Sequence, residues 1–396
     1  MTGPDDPHDL DSLSEYATRI LNFYHPECID EENGGYVAQF DEETGNVYDR
    51  ESKHLVAQCR FVVNYSVVAA LDGPDWSASA AEHGLEFLLE SQRDRERGGY
   101  HWLVEGTTPV DSTRVCYGHA FALLAFARAF EADIARAEAS LYDLYDLIDE
   151  RFWESERGLC KSTYDAEWSE VEAYRGQNAN MHMCEALIAA YEATDDVRFR
   201  DRALAIAEAL AVELPESTDG LIWEHYTPDW KPDFEYNRDD PTHTFRPWGY
   251  QPGHQIEWAK LLAVLSRHSD EDWLVPRAEE LFTAAIEYGW DADDGGFYYS
   301  FDLDRDPVVT DKYSWEVAEA IGAAAALYDR TGNPEYLDWY DRFWTYAKSH
   351  LVNLKYGNWY TKVTEENEPV PTQSGVAVEP GYHPIGACLE GVRSLE

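Results

Sequence analysis

The sequence predicts an all-α protein, an (α/α)6 barrel or toroid with short β-hairpins gathered at one mouth. Three observations predict it. A glycine followed by a strand-like aromatic or aliphatic segment occurs six times along the chain. Each copy leads through a polar, turn-rich stretch into an apolar helical run. A second run, with apolar residues at three- and four-residue steps, closes most of the repeats. The copies recur every roughly 60 to 75 residues, well beyond the periods of short solenoids.

The elements follow in order. Residues 10–25, LDSLSEYATRILNFYH, form an amphipathic helix with no hairpin before it. Repeat one carries GGYVAQF from residue 34, the turn DEETGN, the apolar run QCRFVVNYSVVAAL and the amphipathic run WSASAAEHGLEFLLESQ. Repeat two carries GGYHWLV from 98, then YGHAFALLAFARAF and ASLYDLYDLIDERFW. Repeat three has GLCKSTY from 158, the turn DAEWSE, NMHMCEALIAAYEAT and RFRDRALAIAEALAVEL. Repeat four, the longest, has GLIWEHY from 220, PGHQIEWAKLLAVL and DWLVPRAEELFTAAIEYGW. Repeat five has GGFYYSF from 295, the turn DLDRDP, WEVAEAIGAAAALYDRTG and EYLDWYDRFWTYAKSHL. Repeat six has GNWYTKV from 357 and YHPIGACLEGV, and then the chain stops. The N-terminal helix supplies the outer partner that repeat six lacks. The first helix after each hairpin is the more apolar and is expected inside. No linker-like shift of composition interrupts the pattern, so residues 1–396 are expected to form one catalytic domain.

Composition narrows the function. Net charge is −46, from 77 Asp and Glu against 31 Lys and Arg, spread along the whole chain. Nucleic-acid phosphate and anionic membranes would repel such a surface, so neither is an expected partner. At about 1 M salt, repulsion is screened within roughly 3 Å, and the expectation is a halophilic protein. Aromatic residues make up 14%, which suits carbohydrate sites, though core packing accounts for most of them. The six cysteines form no C-x-x-C pair and read as small buried hydrophobes in a reducing compartment. The start MTGPDDPHDL has neither a basic region nor an apolar stretch, so no signal peptide is expected. No run approaches the ~18 apolar residues of a membrane span. A soluble, cytoplasmic protein is expected, and nothing fixes its oligomeric state.

The inner helices should all start at the hairpin end, so polar residues in their first turns should converge. They are Arg60, Tyr117, His119, Asn178, His182, His254, Glu257, Trp315, Glu316, Glu319 and His383. A single histidine near a helix start is usually a cap or a core residue. Four at equivalent places in four repeats point to a site. Pro252 and Gly253 break the chain before His254 and stand it at the mouth. Helical spacing puts Glu257 on the same face, where it is expected to hold the imidazole in one tautomer.

The segments RPWGYQPGHQIEWAKLL, NANMHMCEALIAAYEAT, YGHAFALLAFA and GYHPIGA resemble the N-acylglucosamine 2-epimerase superfamily of (α/α)6 barrels. The resemblance runs from about residue 10 to the end. FRPWG before P-G-H and EWAKLL after it are closer to the aldose–ketose isomerase branch, which holds mannose and sulfoquinovose isomerases. The resemblance implies that His254 and His383 are the catalytic histidines. It matches Arg60, Tyr117, Asn178, His182, Glu257 and Trp315 to substrate-binding and site-shaping positions, and Gln373 to a binding glutamine. It implies a monosaccharide substrate, no cofactor and no metal.

By that analogy His383 moves the proton from C2 to C1 through a cis-enediol, and His254 assists ring opening and moves a proton between O1 and O2. Arg60 is the expected cation beside the enediolate, and Trp315 and Tyr117 offer stacking surfaces. A 2-epimerase would instead reprotonate C2 on the opposite face, and two facing histidines permit either outcome. Three other readings compete. A glycoside hydrolase would need a carboxylate pair from Glu257, Glu316 and Glu319 and leaves the histidines unexplained. A metal site could use the i, i+3 pairs His182 with Glu185 or His254 with Glu257, yet no H-E-x-x-H motif is present. A sugar-binding module would bind without turnover. Arg60 or Arg246 would have to supply the positive potential for a sulfonated sugar; an uncharged hexose such as mannose is preferred.

Overall fold

A computed structural model describes residues 3–396. Met1 and Thr2, part of the start expected to lack a signal peptide, lie outside the described residues. About half of the chain is helical, in twelve α-helices among the described residues. They are α1 (Leu10–Leu21), α2 (Leu55–Ala70), α3 (Trp76–Phe87), α4 (Cys116–Glu131), α5 (Ala137–Arg151) and α6 (Gln177–Thr194). Then come α7 (Val197–Glu208), α8 (Pro252–Leu265), α9 (Leu274–Gly289), α10 (Ser314–Thr331), α11 (Pro334–Tyr346) and α12 (Tyr382–Leu395). Helices α3, α7 and α11 each run on into one wider π-helical turn, at Leu88–Gln92, Ala209–Glu213 and Ala347–Leu351.

Burial sorts the helices into two kinds. Even-numbered helices are buried on nearly every side; in α2 every residue from Leu55 to Val68 is buried. Odd-numbered ones bury a single stripe, as α9 does with Leu274, Ala278, Leu281, Phe282 and Ala285. A helix apolar all round must be enclosed, whereas one with a single apolar face belongs at the surface. The packing agrees: α2 lies on α4, α4 on α6, α6 on α8, α8 on α10, α10 on α12 and α12 on α2. Each even helix also packs on the odd helix that follows it, and α12 packs on α1.

The strands are short, and many pair across repeats. Ser52–His54 pairs with Leu103–Glu105, Arg114–Val115 with Thr163–Tyr164, and Arg175–Gly176 with His225–Tyr226. Tyr250 bridges Phe301, and Lys312–Tyr313 pairs with Lys362–Val363. Each of these entry strands leads directly into an even helix and takes its partner from the next repeat. The glycine-led period predicts the partner strands but neither the entry strands nor this exchange.

Two repeated devices lock the strands to the helices. A buried cation two residues before a helix start pairs with an acid in a nearby turn: Lys53 with Asp30, Arg114 with Asp94, Arg175 with Glu154, and Lys312 with Asp291. Such charges are tolerated in the interior only when paired. Three residues into the helix, a side chain clamps the preceding turn. Gln58 bonds both backbone groups of Tyr36, Asn180 those of Cys160 and Gln255 those of Ile222. Gly35, at φ +69°, has to be glycine here, because a Cβ would lie 2.6 Å from Gln58 Oε1.

Repeats one and six meet through Glu42. Its carboxylate accepts from the backbone N–H and hydroxyl of Thr361 and from the N–H of Thr372. Its backbone oxygen accepts from Asn353 Nδ2 at 2.9 Å. The six cysteines are unpaired and buried. No helix among the described residues is long and apolar enough to cross a membrane.

Candidate active site

The first turns of the even helices meet at a cavity of about 200 Å³. Arg60, Tyr117, Asn178, His182, His254, Glu257, Trp315 and His383 line it, with Tyr299, Thr361 and Glu379. A site of this size suits one sugar ring better than a drug-sized ligand, whose pockets run to about 300–1,000 Å³. The long fourth-repeat loop adds Thr242, Thr244, Phe245 and Pro247 as one wall.

His254 stands at the start of α8. Gly253 before it is held closely, since a Cβ there would lie 2.5 Å from the Trp315 ring and from Glu316 Cγ. Glu316 Oε1 accepts the Gly253 N–H at 3.2 Å and so caps α8. The imidazole is not oriented by Glu257, as its spacing suggested. Nδ1 lies 2.9 Å from Glu224 Oε1, on the fourth hairpin. It lies 2.9 Å from Gln177 Nε2 as well. Trp258 Nε1–H donates to Gln177 Oε1 and so fixes the amide, whose nitrogen donates to Glu224 Oε2 at 2.9 Å. An Nδ1–H donated to Glu224 leaves Nε2 bare. Glu257 lies one turn deeper than that contact, and three residues of helical rise prove enough to carry it away from His254 and next to His182.

Glu257 is buried and neither of its oxygens has a hydrogen-bond partner among the described residues. Burial and the neighbouring Glu319 carboxylate hold it well above the usual carboxylate range, against the pull of Lys260 and Arg60, and so favour the protonated form. Next to it, His182 Nδ1 is 2.9 Å from Glu185 Oε2 and 3.7 Å from Glu257 Oε1. Burial pulls the His182 pKa down to about 4 against the pull of Glu185. The ring is therefore neutral, with Nδ1–H toward Glu185. The ligand atoms of His182, Glu185 and Glu257 lie within 4.8 Å of one another.

His383, at the start of α12, is the second imidazole. Its Nδ1 is 2.7 Å from Glu319 Oε1, on α10. Its Nε2 is 3.3 Å from Glu379 Oε2 and 3.4 Å from Arg60 Nη2. Arg60 donates to Glu379 Oε2 at 2.7 Å and to the Val378 carbonyl at 3.0 Å, and its guanidinium lies over the Phe121 and Tyr382 rings. Trp315 stands between the histidines, its ring centroid 5.1 Å from His254 and 5.7 Å from His383. Asn178 Oδ1 has no partner in the protein.

Five expected residues do not line this cavity: Glu316 caps α8, Glu319 stands behind His383, and three others lie elsewhere. His119 is fully buried: its Nδ1–H donates to the Val115 carbonyl at 2.8 Å and its Nε2 accepts the Tyr100 N–H at 3.2 Å. It occupies the clamp position that Gln58, Asn180 and Gln255 hold in other repeats. Burial brings its pKa down to about 4. The residues one place into α4 and α6, Tyr117 and Asn178, and His182 five places into α6 line the cavity, whereas the third faces the hairpin. Gln373 is exposed and does not line the cavity. Arg246 is spent on Glu172, which it meets with both terminal nitrogens at 2.7 and 2.8 Å, and it stacks on Tyr174. It lines a neighbouring groove of about 540 Å³ that shares Tyr117, Asn178 and Phe245 with the cavity.

The sequence reading missed Glu224, Gln177 and Glu379. Two of them left a signal. Glu224 is an acid within an otherwise strand-like segment, and Glu379 precedes a second Pro-Gly before an imidazole, in EPGYH.

Comparison with known proteins places the chain. The N-acylglucosamine 2-epimerase (GlcNAc 2-epimerase) family profile matches residues 34–387. A D-mannose isomerase of Marinomonas mediterranea is 39% identical over 384 residues, covering 97% of each chain. A crystal structure of a D-mannose isomerase superposes with a TM-score of 0.94 at 38% identity, over 98% of both chains. A cellobiose 2-epimerase of Bacteroides fragilis is 22% identical over 87% of this chain and 88% of its own.

Proposed function

Since the chain belongs to the N-acylglucosamine 2-epimerase family, we propose that it is an aldose–ketose isomerase interconverting mannose and fructose. The observation that carries the reading is a pair of imidazoles facing one sugar-sized cavity, each held through Nδ1 by a buried carboxylate.

The chemistry follows from that arrangement. His254 Nε2 takes the proton of the anomeric hydroxyl as the C1–O5 bond breaks and passes it to O5, which leaves the nitrogen bare again. His383 Nε2 then removes the C2 proton, and negative charge gathers on O1 beside Arg60, whose guanidinium stabilises it. His254 moves a proton from the O2 side to O1. His383 returns its proton to C1 on the same face, and the ketose results. Glu224 and Glu319 hold the two rings in the tautomers this needs. Neutral Glu257 offers a hydroxyl both a donor and an acceptor, and His182 and Asn178 offer acceptors. Trp315 and Tyr117 flank the ring.

Further features belong to the same proposal. The run of contacts from α2 through α12 and back to α2, with an outer helix on each, supports an (α/α)6 barrel formed as one domain by residues 1–396. The surface charge of −46 supports a halophilic, cytoplasmic protein, whose Tm is expected to rise with KCl. We read the His182, Glu185 and Glu257 cluster as a sugar-hydroxyl site and the enzyme as metal-independent. Arg246 is already paired with Glu172, which favours an uncharged hexose over a sulfonated one.

The test is D-mannose in D2O at multimolar KCl, followed by proton NMR. Fructose with deuterium at C1 supports the isomerase. Glucose with deuterium at C2 and no early ketose overturns it in favour of a 2-epimerase, the second reading that the facing imidazoles allow.

A further inference from the structure

Beneath His383 lies a charged layer that the reaction above does not use. Lys260, on α8 and deeper than His254, donates its ammonium to Glu319 Oε2, while Glu319 Oε1 takes His383 Nδ1 at 2.7 Å. Both partners of this ion pair are nearly enclosed, with side chains 13% and 3% exposed. The aliphatic stem of Lys260 crosses α10 at Gly322, where a Cβ would lie 3.1 Å from Lys260 Cδ. Glycine is unfavourable inside a helix, and here it opens the track that the lysine occupies. Gly322 and Glu319 are three residues apart, on one face of α10.

The surroundings make the lysine consequential. The charged and titratable groups facing the layer are Glu185 and His182 on α6, Glu257 on α8, Arg60 on α2, Arg128 on α4, Tyr382, Glu390 and Arg393 on α12, and Glu379 before it. Arg60 is committed to Glu379, so Lys260 is the cation bonded to Glu319 among the described residues. Burial alone would push the Glu319 carboxyl up; Lys260 and His383 hold it below the ordinary range instead. A small cavity of about 70 Å³ adjoins Lys260, Glu319, Glu185 and His383.

We infer that Lys260 is a positioning residue for His383: it holds Glu319 in place and ionised, so that Glu319 keeps the imidazole in the tautomer with Nε2 bare toward the sugar. The inference rests on the isomerase reading for its kinetic consequence, but not for its structural one. Without the ammonium, a proton that shuts the Glu319–His383 pair down binds at higher pH, because a positive charge beside the pair has gone.

Lys260→Met is the test, with Lys260→Arg beside it. Turnover of the sugar that the wild type converts is expected to fall about tenfold in kcat at pH 7, with KM within about twofold. The acid limb of the kcat profile is expected to move up by about one pH unit, and Lys260→Arg to restore most of both. Infrared difference spectra of Lys260→Met against wild type should show one additional protonated carboxyl, absent when Glu319→Gln is added. That readout needs no substrate, so a chain that failed to turn over mannose would still decide the matter. An unchanged acid limb, or a kcat loss that arginine does not restore, overturns the inference. Should Lys260→Met not fold, Gly322→Val displaces the lysine stem and is read the same way.

Discussion

The two imidazoles face one cavity but are held by different chemistry. His254 leans on Glu224 and on an amide, Gln177, that a tryptophan fixes in turn. Among the described residues, no lysine or arginine is paired with that group. His383 sits within a run of charges, Glu319 and Lys260 on one side, Glu379 and Arg60 on the other. On the proposed mechanism, the difference suits a division of labour between the rings. A ring that relays protons among sugar oxygens needs orientation. One that takes a proton from carbon needs basicity, a nearby cation for the oxyanion, and insulation from competing protons.

The contrast can be broken by removing each ring. His383→Asn and His254→Asn are each expected to lower kcat by ~10² to 10⁴-fold, measured by fructose formation from mannose. They should differ in the label: in D2O, the residual product of His254→Asn still carries deuterium at C1, while His383→Asn loses carbon-bound exchange altogether. Equal labelling in both would dissolve the division of labour.

Next in size come the supports. Glu224→Gln and Glu319→Gln are each expected to reduce kcat by ~10- to 100-fold with KM changed less than about threefold, because each disturbs a tautomer rather than a sugar contact. The two should part in pH dependence, since only Glu319 has a charged partner beneath it. Matching profiles would argue against the contrast.

Glu257 belongs to neither ring, and its neutrality gives a smaller, signed prediction. Its carboxyl is raised in the folded chain, so above about pH 4.3 the folded state keeps a proton that the unfolded state releases. Stability therefore falls as pH rises through that window. Glu257→Gln, which presents the same donor and acceptor, should unfold at a higher Tm than wild type at pH 7 to 8, with the gap closing toward pH 4. Its kcat/KM should stay within about threefold, whereas Glu257→Ala should raise KM about tenfold. The smallest effect is expected from metal removal: dialysis against EDTA should leave turnover within about twofold. A larger loss, restored by one divalent ion, would turn the His182, Glu185 and Glu257 cluster into a metal centre.

Much of this was legible in the sequence, and the limits are physical. Helical periodicity with a recurring glycine gave the helices, some to the residue, as with α8. The same reasoning placed Arg60, Tyr117, Asn178, His182, His254, Glu257, Trp315 and His383 at one cavity. It failed where a partner comes from another repeat. Glu224 reaches His254 across 30 residues and Glu319 reaches His383 across 64, separations that no local period encodes. His119 misled because residue type was read before phase: two positions along the helix turned a wall residue into a clamp. Gln373 was carried by resemblance in a segment with no periodic signal of its own.

Glu42 has a consequence in time. Its partners Asn353, Thr361 and Thr372 lie 311 to 330 residues downstream. A ribosome adding about 5–20 residues per second exposes the first hairpin tens of seconds before those partners exist. The turn of the first hairpin is thus among the last parts to be satisfied, although its strands pair within a few residues. Until repeat six emerges, Glu42 stays without these partners, and the heavy negative charge then acts as a spacer between unfinished copies.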